Sequence, residues 1–70
     1  MTYDEIVAAL GYAGGHEQPV RIVTSDKSEV VGVPTSVDTH PTAHEVFVRP
    51  PGSETEIAIS LGAIVSVELV

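Results

Sequence analysis

Ahead of residue 20 the apolar positions recur at spacings of three and four: Tyr3, Ile6, Val7 and Leu10. From Val20 onward they come in short runs, largely alternating with polar residues and broken by turn formers. The first period belongs to a helix with one apolar face, the second to half-buried strands. Thr2 is placed to cap the helix, and Glu5, three residues on, completes a capping box. Asp4 and Glu5 fall in the first turn, where the helix dipole favours anions. Gly11 is positioned as the stop, so the helix is assigned to residues 1–11. So short a helix needs a surface to dock on, and the strand-rich remainder offers one. The alternative is a helix that docks on a partner.

Residues 12–19 read as a linker after Gly11, with Gly14, Gly15 and Pro19 denying it regular structure. A phosphate loop is rejected. The glycines follow a helix rather than a strand, no Gly-Lys-Ser/Thr follows them, and no basic residue lies among them. Tyr12 is placed to cover one end of the fold.

Residues 20–70 read as five strands, at about 20–24, 29–37, 44–49, 55–60 and 64–69. Ser25 to Ser28 and Pro50 to Glu54 are turns. Leu61-Gly62-Ala63 is a short break, one turn of 3₁₀ helix. Three residues are read as structural: Gly32, Pro34 and Gly62. A glycine inside a strand marks a bend or a close backbone approach, and a proline there must sit at an edge or a bulge. The second strand therefore curls.

Short successive antiparallel strands with one bent member predict a small closed or nearly closed barrel, with the helix across one end. The fold class is mostly β: a short N-terminal helix, then a five-stranded antiparallel small barrel. The expected core is Ile6, Leu10, Ile22, Val31, Val33, Val46, Val48, Ile57, Ile59, Ile64 and Val67. Seventy residues make a single thin-cored domain, and with no cysteine neither a disulfide nor a thiolate metal site reinforces it. Pairing of edge strands into a homo-oligomer is one route to further stability.

Charge narrows the partners. Ten carboxylates stand against three basic residues, Arg21, Lys27 and Arg49, for a net charge of −7. Such a surface repels phosphate backbones and lacks the basic footprint of a nucleic-acid binder. A basic protein surface or a cation suits it better; solubility is the bland explanation of the same charge. No apolar run approaches the roughly 20 residues of a membrane span. The start Met-Thr-Tyr-Asp-Glu has neither the basic nor the apolar region of a signal peptide, so a cytoplasmic location is expected.

The helix, the polar turn, Val30-Val31-Gly32-Val33 and Asp38 at the end of the second strand together resemble the first Sm motif. The run from Ile59 to Leu69 is similar to the last two strands of a small Sm-like barrel. SH3-type barrels share the spacing. The resemblance implies the fold over about residues 3–69. Sm-like proteins bind RNA as rings, while one bacterial branch, of Rho-binding antitermination type, docks an acidic Sm-like domain on a protein. Where the family holds a base with an Asn, this chain has Thr39-His40-Pro41-Thr42. Where it has Arg-Gly, this chain has Ser60-Leu61-Gly62. The resemblance therefore implies the barrel without the RNA-binding residues.

The remaining polar constellation is Asp38, His40, His44 and Glu45. A His-x-x-x-His spacing flanked by carboxylates suits zinc or nickel when a helix aligns the imidazoles. Pro41 and the strand after it oppose a helix, and no third ligand is evident, so the four are taken as candidate binding residues with no metal and no cofactor. No catalytic residue is assigned: there is no cysteine, and no serine has a neighbouring histidine with an orienting acid. The expected function is a small acidic protein-interaction or regulatory module that is not an enzyme. Its alternatives are an Sm-like nucleic-acid-binding subunit and a self-assembling structural subunit.

Overall fold

The computed structural model describes residues 1–70. Helix α1 (Tyr3–Gly15) is followed by β1 (Val20–Thr24), β2 (Glu29–Asp38), β3 (Glu45–Arg49) and β4 (Ile57–Ser60). A 3₁₀ turn (Leu61–Ala63) then leads into β5 (Ile64–Leu69). All strand pairs are antiparallel, in the order β4-β3-β2-β1-β5. The protein is mostly β with one N-terminal helix, as the hydropathy pattern predicts.

The helix opens on the expected capping box. Glu5 N donates to Thr2 Oγ1 at 3.2 Å, and Thr2 N donates to Glu5 Oε1 at 2.8 Å. Its far end differs from expectation: α1 passes through Gly11 and runs to Gly15, with His16 as the cap. Packing overrides the glycine. Leu10 and Ala13 are both fully buried, and Gly14 lies against β2, where an added Cβ would sit 3.1 Å from the Pro34 carbonyl oxygen. Half of the expected linker, residues 12–15, is therefore the last turn of the helix.

Strand β2 holds the sheet together. Its first half, Glu29 to Gly32, pairs with β1, and its second half, Val33 to Asp38, pairs with β3. The change of partner falls at Gly32 and Pro34. The register breaks between Pro34 and Ser36, a bulge that shifts which positions face inward. Before it, Val30, Gly32 and Pro34 face the interior with Ile22, Val20 and Val48; after it, Val37 lies opposite Val46.

Two features correct the sequence reading. Val31 and Val33 do not join the core. Val31 lies opposite Arg21 on the outer face, 39% exposed, and Val33 is only half-buried. Ile57 is paired with Val48 but stands at the start of the edge strand, 41% exposed. The buried core is instead Ile6, Leu10, Ala13, Val20, Ile22, Val46, Val48, Ile59, Leu61, Ile64 and Val67.

The second correction concerns closure. The sheet is not shut into a barrel: β4 and β5 lie at opposite ends of the strand order and do not pair. The 3₁₀ turn joins them across the gap. Leu61 N donates to His44 O at 3.0 Å, and Ala63 O accepts from Ser25 N at 2.8 Å, which ties the turn to both sides of the sheet. Leu61, 1% exposed, fills the interior at this point. No ladder closes the sheet, and the outer edges of β4 and β5 pair with no strand.

Candidate functional site

The four residues singled out from the sequence lie around one loop, the β2–β3 connection. Asp38 and Glu45 are register partners at its base. Asp38 Oδ1 accepts from His40 N at 2.9 Å, which starts the turn. The carbonyl of His40 accepts from Ala43 N at 3.1 Å and from His44 N at 2.8 Å, with Pro41 just after the first residue of that turn. His44 takes a left-handed backbone, φ +46°, to bring the chain into β3.

The two imidazoles are committed to different neighbours. His40 Nδ1 is 2.8 Å from Thr42 Oγ1, inside the loop. The His44 ring stacks on Tyr3 at the start of α1, with centroids 5.3 Å apart and planes 7° from parallel. No group of three or more His, Cys, Asp or Glu side chains is arranged to hold a metal ion. The loop thus gathers Asp38, His40, His44 and Glu45 without converging them on one point.

What the loop does form, together with the helix start, is an open hollow of about 550 Å³ lined by Tyr3, Thr39, Pro41 and His44. Sequence reasoning left Tyr3 out, because it ascribed that ring wholly to the helix's apolar face. A second hollow, about 260 Å³, lies between the glycine face of α1 (Gly11, Gly14 and Gly15) and the bulge at Thr35 and Ser36. The spacing of those glycines was its only sequence signal, and it is readable only once the helix extends past Gly11.

The structural residues differ among themselves. Gly32 is buried, and a Cβ there would meet Arg49 O at 2.5 Å and Val48 Cγ1 at 2.7 Å. Pro34 is also buried, beside the bulge. Gly62 lies in the 3₁₀ turn, where a Cβ would meet only Ser60 Oγ at 3.8 Å, so sterics do not require glycine.

The chain's ion pairs are concentrated elsewhere. On the outer face of β1, Arg21 Nε lies 3.7 Å from Glu29 Oε1, and its Nη2 donates to Glu68 Oε2. The bond to Glu68, then the charges of Glu68 and Glu29, hold the guanidinium more firmly in its protonated form. In the β1–β2 turn, the Thr24 hydroxyl and Ser28 N donate to Asp26, and these bonds lower its pKa. Bonds from Thr2 lower that of Glu5. Neither Asp38 nor Glu45 takes part in an ion pair.

No protein-family model matches the chain, and neither does any curated protein. No helix is long and apolar enough to cross a membrane.

Proposed function

We propose that this protein is a small acidic interaction module, without catalytic activity, that docks on a basic surface of a larger protein. One observation carries this reading. Of the three basic residues in a chain of net charge −7, Arg21 is held by two carboxylates of its own chain, and no other ion pair exists. The remaining carboxylates, Asp38 and Glu45 among them, are unneutralised and attract cationic surfaces at a range set by salt. The Sm-like resemblance belongs to the same reading, since it supplies a scaffold whose RNA-binding residues this chain lacks. Affinity capture from native lysate at about 50 and 500 mM salt tests it. A basic protein retained at the lower concentration and released at the higher is expected; retention of nucleic acid instead of protein contradicts it.

The open sheet supports a second reading, self-assembly by strand pairing. Both edges are unpaired, and each carries exposed apolar residues: Ile57 on β4, Val65 and Leu69 on β5. Unpaired edges of this kind are templates for another copy of the chain.

A further inference from the structure

We propose that the hollow between the start of α1 and the β2–β3 loop is a receptor for an arginine side chain. This rests on the reading of the protein as a module for a basic partner, and names the group it would grip. Tyr3 and His44 form one wall, their rings nearly parallel. Tyr3 keeps 43% of its surface in solvent and lines the hollow together with His44. A cation within about 6 Å of such a ring is drawn to its π-face, and a planar guanidinium also stacks on it, which an ammonium does not. Pro41 supplies an apolar surface for the methylenes of the incoming side chain.

Charge decides the sign of the occupant. Asp38 and Glu45, paired in register at the base of the loop, each adjoin a lining residue, Thr39 and His44, and neither is in an ion pair. Lys27 lies in the β1–β2 turn and Arg49 at the opposite end of β3 from Glu45, so neither is on this loop. A phosphate or carboxylate ligand would be repelled by the net charge of −7, whereas a guanidinium would be attracted by it. Aromatic surface, an apolar wall and carboxylates outside any ion pair are the elements an arginine side chain uses, and all three come from the helix start and one hairpin.

The test is a ¹⁵N- and ¹³C-detected titration of the intact protein with the capped tripeptide Gly-Arg-Gly at about 50 mM salt. The same peptide with Lys, or with the uncharged isostere citrulline, in place of Arg provides the comparison. Saturable shifts at the Tyr3 ring, Thr39 and His44 are expected, with Arg bound about two- to five-fold tighter than Lys and citrulline not bound. Two variants should abolish those shifts while retaining the folded amide spectrum. Tyr3→Leu removes the ring but keeps an apolar contact at the helix start, and Thr39→Lys fills the hollow with a cation of the chain without touching the helix. Equal, diffuse shifts for Arg and Lys, or shifts unchanged in both variants, overturn the proposal. A deca-arginine peptide separates its failure from that of the wider reading. If deca-arginine binds the parent and both variants alike, the hollow is not the receptor and the basic-partner reading stands; if it does not bind at all, both fall.

Discussion

A Cβ on Gly32 would lie 2.5 Å from the carbonyl oxygen of Arg49, closer than side-chain carbons approach a carbonyl. This contact lies where β2 changes partner from β1 to β3, so the bend depends on the absence of a side chain. Gly32→Ala must push β3 back or distort β2, and overpacking of this kind costs about 1–3 kcal/mol. Urea denaturation should show that loss. An unchanged midpoint would mean that the two strands are not so close.

Gly11 behaves oppositely. It lies inside α1 on the exposed face, with nothing within 4 Å of an added Cβ. Gly11→Ala should therefore stabilise the protein by about 0.5–1 kcal/mol, the helix penalty of glycine relative to alanine. If the helix stopped at Gly11, the same change would be neutral or harmful, so thermal denaturation of this variant reports directly on where α1 ends.

The capping box sets a pH dependence. Bonds from Thr2 lower the Glu5 pKa below its ordinary 4.5, and bonds from Thr24 and Ser28 lower that of Asp26 below its ordinary 3.8. A carboxyl group whose pKa is lower in the folded state contributes stability that is full above its unfolded value and is lost as pH falls through the folded one. Stability should accordingly begin to decline as pH drops below 4.5 for Glu5 and below 3.8 for Asp26. Glu5→Gln and Asp26→Asn should each flatten part of that decline in acid denaturation curves. Thr2→Ala, which removes the cap itself, should cost about 0.5–2 kcal/mol at neutral pH.

The free edges predict a separate outcome. Ile57→Lys and Leu69→Lys place charge on β4 and β5 at positions 41% and 55% exposed. Each should leave folding stability within about 0.5 kcal/mol of the parent. If copies of the chain pair through these edges, sedimentation of the parent shows an oligomer that both variants convert to monomer. A parent that sediments as a monomer at high concentration removes the self-assembly reading.

Most of the fold was legible because the strands are short, alternating and bounded by strong turn residues. The bounds of β1, the 3₁₀ turn and β5 follow from that pattern. Three features were not legible. Valine occurs at both parities of β2, at Val30, Val31 and Val33, so hydropathy alone did not reveal its inner face. The register with β1 did, by placing Val30 and Gly32 opposite Ile22 and Val20. The helix end was missed because Gly11 is a local stop signal, whereas burial of Ala13 and the contact of Gly14 with Pro34 are tertiary. A closed or nearly closed barrel was expected from five short strands with one bent member, but β4 and β5 do not pair, and whether the end strands meet is a tertiary matter that hydropathy does not encode. At the candidate site, the gathering of Asp38, His40, His44 and Glu45 around one loop was legible because they are close in sequence. The stack of His44 on Tyr3, 41 positions away along the chain, was not, because nothing local encodes it.

The central claim is that the acidic surface selects cationic protein and turns polyanions away. The most direct measurement is the affinity of the intact protein for deca-arginine and for a single-stranded oligonucleotide, each at about 50 and 500 mM salt. Binding of the peptide that weakens at the higher salt, with no binding of the oligonucleotide at either, is the expected result. An oligonucleotide bound more tightly than the peptide at low salt would contradict the claim.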